Sequence, residues 1–199
     1  MTNNPISGLP IWNIQTAQKW LAAKAGRVQA AADAALAAQC DFDADELEPY
    51  DYSIRFCAGD LIATDLSITC ACLIVAGNLR VKGLLQTAMA AEEGALIVLG
   101  NAEIGRYISH GAHTVICGNL HAGHVCTNST NDCAFSVGAN AQAESFAEFG
   151  EYVEIHGNLQ VDKLISDANT INVLGKREAK LVIESSSTIP ADRLAALLK

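Results

Sequence analysis

The sequence predicts a mainly β fold: a single-stranded parallel β-helix, a solenoid of about seven right-handed coils, with an N-terminal α-helical cap and a short C-terminal helix. Three observations carry this. A short apolar run ending in Gly, usually followed by Asn or Asp, recurs at Gly59, Gly77, Gly100, Gly118, Gly138, Gly157 and Gly175. Residues at fixed offsets from each Gly alternate between apolar and polar with period two, the signature of a half-buried strand. The chain has 199 residues and is 50% hydrophobic, enough to bury a core without metal or disulfide staples.

The segments follow in order: residues 1–54 as helical cap and acidic linker, 55–188 as solenoid, and 189–199 as C-terminal capping helix. The alanine-rich stretch Gln15 to Gln39 holds Trp20, Leu21, Val28 and Leu36 and no proline, so it reads as a helix laid over the first coil. Such a cover is needed because an open solenoid end exposes unpaired strand edges. The linker Asp41-Phe-Asp43-Ala-Asp45-Glu46-Leu-Glu48-Pro-Tyr-Asp51 has the density of acids of a calcium loop but not its pattern. Glu46 stands where that loop needs Gly, and Tyr52 where it needs a bidentate Glu.

Within the solenoid the glycines are 18, 23, 18, 20, 19 and 18 residues apart. Two residues before them stand Cys57, Val75, Val98, Ile116, Ser136, Ile155 and Val173, and two after them Leu61, Leu79, Ala102, Leu120, Asn140, Leu159 and Arg177. These positions share an inward face, while Arg80, Glu103, His121 and Gln160 face water. Coils stacked ~4.8 Å apart make a rod about 30 Å long. The Gly-Asn step reads as the corner, Gly supplying left-handed backbone angles and Asn bonding back to local backbone. The fifth coil departs from the pattern at Ser136, Asn140 and Gln142, and Ala141 to Glu151 suits a helical turn equally well. The 23-residue coil carries an insertion near Ala88 to Gly94, expected as a loop. In the last segment, Pro190 at a first helical turn precedes Leu194, Leu197 and Leu198 at helical spacing.

Charge narrows the function. Thirteen Lys and Arg against 22 Asp and Glu give a net charge of −9. With no cluster of cations, direct binding to nucleic acid or to an anionic membrane is not expected, and a charged partner should be basic. Residues 41–65 carry eight acids and one base, and residues 132–167 seven acids and one base. The candidate partner-binding residues are therefore Asp41, Asp43, Asp45, Glu46, Glu48 and Asp51, and a face built from Glu144, Glu148, Glu151 and Glu154. The N-terminus has no basic segment leading into an apolar one, and no apolar run approaches the ~20 residues that span a bilayer. A cytoplasmic protein with its seven cysteines as free thiols is expected.

His110, His113, Cys117, His121, His124, Cys126 and Cys133 cluster between residues 110 and 133. Four residues along a strand place Cys117 and His121 roughly 13 Å apart, too far to share a zinc ion. No metal site, no cofactor and no catalytic residue is assigned, and the chain is read as a non-enzyme. An 18-residue coil is also three hexapeptides, and in this it loosely resembles the hexapeptide acyltransferases; the resemblance implies His121 or His124 as general base, although Gly100, Gly105, Gly111 and Gly118 drift from a six-residue spacing.

The Gly-Asn/Asp-Leu-x-Val repeat over about residues 55 to 184 resembles the bactofilin-like polymer-forming solenoids, which implies end-to-end assembly. Repeat, size and acidity together are similar to the β-solenoid immunity proteins of polymorphic toxin systems. That second resemblance implies a monomer or small homo-oligomer that neutralises a cognate toxin, such as a DNase delivered by type VI secretion.

Overall fold

A computed structural model describes residues 5–40, 51–87, 94–128, 133–166 and 171–184. The chain is a parallel β-solenoid of about six turns, and 59% of the described residues are in strands and 14% in helices. Seven corner markers delimit six complete circuits, which accounts for the difference from the seven coils expected. In chain order the elements begin with β1 (Ile11–Trp12), α1 (Ile14–Leu21), α2 (Gln29–Ala37), β2 (Asp51–Cys57), β3 (Leu61–Ala63) and β4 (Leu66–Ile68). They continue with β5 (Cys70–Val75), β6 (Leu79–Thr87), β7 (Ala95–Val98), β8 (Ala102–His110), β9 (His113–Ile116) and β10 (Leu120–Asn128). The last are β11 (Ala134–Val137), β12 (Ala141–Phe149), β13 (Tyr152–Ile155), β14 (Leu159–Ser166), β15 (Ile171–Val173) and β16 (Arg177–Glu184).

Each coil gives one strand to each of two sheets. The first sheet runs β1-β2-β5-β7-β9-β11-β13-β15; the second runs β16-β14-β12-β10-β8-β6-β3, with β4 also on β6. Neighbouring coils pair in parallel, and among the described residues only β1 on β2 is antiparallel. Inward positions stack as columns, among them Cys57, Val75, Val98, Ile116, Val137, Ile155 and Val173 on the first sheet. On the second sheet Leu85, Tyr107, Val125, Phe146 and Leu164 form another.

The fifth coil obeys the same rule one residue later than the glycine pattern suggests. Val137, not Ser136, stacks between Ile116 and Ile155, and Ala139, not Gly138, takes the corner between Gly118 and Gly157. Ala141 to Phe149 is strand throughout, not a helical turn. Its inward Ala141 and Ala143 are as small as Ala102 and Ala122 in the same columns, and Phe135 and Phe146, packed edge to face at 5.6 Å, supply bulk in the same coil.

The corner glycines are also explained differently. Backbone in the left-handed region occurs at Gly26, Gly111, Gly150 and Ala23 among the described residues, and not at the Gly-Asn corners. There, a β-carbon on Gly100, Gly118 or Gly157 would lie 2.6 Å from the side-chain oxygen of Asn78, Asn101 or Asn140 in the preceding coil. Close approach, not turn geometry, demands Gly.

The alanine-rich stretch is two helices, not one, and it lies along the rod instead of over its end. Asn13 caps α1 by accepting from the Thr16 amide at 2.8 Å, and the chain reverses through a 3-10 turn at Gly26–Val28 before α2. Leu21, Val28, Ala32 and Leu36 bury against the outer face of the first sheet at Phe56, Ile74, Ile97 and Val115. The same outward column turns polar at Ser136, still buried where α2 meets β11, and continues with the half-buried Glu154 and Asn172. The first coil is closed instead by residues 5–10, with buried Ile6 joining the core. Arg55, at an inward register position, donates to the Ser7 and Leu9 carbonyls at 3.2 and 3.3 Å. The C-terminal helix expected at 189–199 and most of the insertion near Ala88 lie outside the described residues. Among the described residues no helix is long and apolar enough to cross a membrane.

Candidate functional site

Among the described residues no helix lies on the outer face of the second sheet, and its side chains are placed by the columns beneath them. Beside it runs a ladder of corner side chains: Asp60, Asn78, Asn101, Asn119, Asn140 and Asn158. Each Oδ1 accepts the backbone N–H of the next member at 2.7 to 3.1 Å, and up to Asn140 the Nδ2 donates to the same oxygen at 3.1 to 3.3 Å. Lys176 closes the ladder by donating its N–H to Asn158 at 2.9 Å.

Next to the ladder stand Arg80, Glu103, His121, Gln142 and Gln160 in one exposed row. Arg80 Nε donates to Glu103 Oε2 at 2.8 Å. A shallow hollow of about 470 Å³ lies between Asn101, Asn119, Arg80, Glu103 and His121. A second, about 490 Å³, extends over Lys82, Gln142, Glu144 and Asp162, and Asp162 pairs with Lys180 at 2.8 Å. Both are open furrows of mixed charge. They offer a fixed hydrogen-bonding surface and no enclosed chamber for a small substrate.

Of the predicted acidic residues, the four glutamates do not assemble as expected. Asp41, Asp43, Asp45, Glu46 and Glu48 lie outside the described residues, and Asp51 opens β2. Glu144 is exposed on the second sheet, whereas Glu154 is half-buried on the outside of the first, held between His156 Nε2 at 3.3 Å and Asn172 Nδ2 at 3.4 Å. Glu148 and Glu151 are fully buried, each 0% exposed. The four glutamates therefore form no common face, because Glu148 occupies an inward column and Glu151 the corner behind it.

That inward column is the feature sequence reasoning missed. Ser109, Thr127, Glu148 and Ser166 stack at its register, all eight residues past the ladder position of their coil. Glu148 Oε1 accepts the Glu151 N–H at 3.0 Å and Oε2 the Ser166 hydroxyl at 2.9 Å. Among the described residues no hydrogen bond of ordinary geometry reaches either Glu151 oxygen, the Ser109 hydroxyl standing close by. Burial, reinforced by the charge of Glu148 and opposed by the Ser109 hydroxyl, pushes the Glu151 carboxyl from 4.5 up to about 8. With the register shifted by one in coil five, the recurring polar residue at this offset is readable from the sequence.

The cysteines and histidines of residues 110 to 133 are spread over both sheets, and among the described residues no three metal-ligating side chains converge. Burial pushes the Cys117 thiol up to about 11 and, aided by Glu151, the Cys126 thiol up to about 12, which leaves both as poor nucleophiles at neutral pH. The site and fold together define a parallel β-solenoid whose first sheet is covered by helices and whose second sheet carries an exposed polar row beside the corner ladder. In comparisons with known proteins, no family model, no curated protein and no solved structure matches the chain.

Proposed function

We propose that the chain is a non-enzymatic scaffold that binds a basic protein partner, acting as an acidic immunity protein that neutralises a cognate secreted toxin, such as a nuclease, in the cytoplasm. The observation that carries this reading is the acidic run Asp41 to Asp51, which joins the helix pair to the first coil in a chain of net charge −9. A nuclease presents a positive groove to phosphates; carboxylates can fill that groove, speed encounter by steering and exclude substrate. The rigid columns support the same reading, since a preorganised surface loses little entropy on docking.

The test is co-purification with the product of the neighbouring gene. A complex that forms at low salt, weakens at high salt and is lost when Asp41, Asp43 and Asp45 become Asn and Glu46 and Glu48 become Gln supports the proposal. No complex at low salt overturns it.

One observation favours a second reading, bactofilin-like self-assembly. On the last described coil Leu174, Leu181 and Val182 are 59%, 49% and 45% exposed. Against it, Lys176 and Arg177 occupy the ladder and inward register positions of that coil, where a stacked neighbour would have to bury their charge.

A further inference from the structure

An apolar stripe on the outer side of the second sheet is buried, although no hydrophobic side chain of another described element packs on it. We propose that residues 185–199 are its cover, docked along the side of the rod as the helix pair is on the first sheet.

The stripe follows from strand alternation. Val125, Phe146 and Leu164 enter the core, so the residues after them, Cys126, Ala147 and Ile165, point the opposite way. Parallel pairing sets these three in one column that ends on Ile183 of β16. With Phe149 they form a cluster separate from the core, built from second-sheet residues alone. An outward Ile facing water would stand largely exposed, yet Ile165 and Ala147 are 0% exposed and Cys126 3%. The burial is present within a single chain, so the shield belongs to the chain, and α1 and α2 are engaged on the first sheet.

Reach and composition select the segment. The links 129–132 and 167–170 are short, fixed at both ends, and hold Ala168 as their one apolar residue. Residues 88–93 leave the rod at β6, four strand spacings from Ile165, or about 19 Å; six residues going out and back reach only about 10 Å. Residues 41–50 lead into β2 of the first coil, farther again from Ile165. Residues 185–199 start from β16, the direct neighbour of β14. They open with Ser185, Ser186, Ser187 and Thr188, polar enough for a reversal, and continue with Leu194, Leu197 and Leu198 at the spacing of one helix face. From β16 to β10 is about 14 Å, and residues 189–198 span about 15 Å as a helix.

The end of the rod supplies the contrast. Val182 holds the inward register position after Leu164 and would be hidden beneath a terminal cap. It is 45% exposed, while its outward neighbour Ile183 is half-buried. Burial thus follows the flank, not the end.

The experiment takes the full chain carrying Leu194→Ser, Leu197→Ser and Leu198→Ser and maps maleimide modification onto Cys126, with Cys72, buried on the first sheet beside the helix pair, as the internal control. The wild type is expected to protect both thiols. The variant, its strand signal in circular dichroism intact, is expected to lose protection at Cys126 and keep it at Cys72. Equal protection of Cys126 in the folded variant overturns the proposal and passes the stripe to residues 41–50. Should the variant not fold, methyl NOEs in the wild type decide: contacts from Leu194, Leu197 or Leu198 to Ile165 support the proposal, and their absence overturns it.

Discussion

At Gly118 a single methyl group separates a fitting corner from a collision, because the Asn101 oxygen already occupies the space a β-carbon would take. Ala139 shows what accommodation looks like: its rung is the slackest, with N–H to carbonyl at 3.2 Å and the Asn140 amide at 3.1 Å from Asn119. Gly118→Ala is expected to destabilise by about 1–3 kcal/mol through the same forced separation without a compensating Phe pair beneath it; urea unfolding measures it, and an unchanged midpoint refutes close approach as the reason for Gly. The sequence announces these glycines through their spacing. It hides the reason, since a left-handed corner and a corner crowded by the coil below both read as Gly-Asn. The fifth coil misleads for the same cause: Gly138 is one residue from the true corner, and only the alternation of Phe135, Val137, Ala141 and Ala143 betrays the shift.

At the scale of elements, the helix pair is a lateral cover. Ile74, Ile97 and Val115 point outward from the first sheet and are buried only because α1 and α2 lie on them. The aromatic cluster of Trp12, Trp20 and Phe56, with Trp12 stacked on Phe56 at 3.6 Å, ties the cover to the first coil. Leu36→Asp is expected to lift α2 and expose that column, seen as a rise in binding of a hydrophobic dye and a loss of monomer on storage while the strand signal in circular dichroism persists. No change in dye binding would mean that the sheet needs no cover. This arrangement was legible in the sequence, because Ile74 and Ile97 break the polar-out rule in coils whose next members, Ser136, Glu154 and Asn172, obey it. Helical propensity alone does not distinguish an end cap from a side cover; the outward column does.

For the whole molecule, charge and ends govern association. Residues 5–10 lie over the first coil, and β1 pairs with Ile54 and Arg55 of the first-sheet edge on that side. The last described coil exposes Leu181 and Val182 and also carries Lys176, Arg177 and Lys180. Sedimentation is expected to give a monomer or small oligomer whose size does not grow with concentration; an indefinite, concentration-dependent series would favour self-assembly over the capped scaffold. The solenoid itself was readable from repeat and alternation. The binding face was not, because charge counted along a chain says nothing of which carboxylates the winding turns inward.

The asparagine ladder has a direction. In every rung the accepting oxygen belongs to the earlier coil and the donating amide to the later one. A coil finished first is thus already furnished with the side-chain dock that its successor requires, and the successor returns one bond, as when the Asn101 carbonyl accepts the Leu79 N–H at 2.9 Å. The polypeptide can wind turn upon turn as it leaves the ribosome, each new circuit seated on the one made moments before.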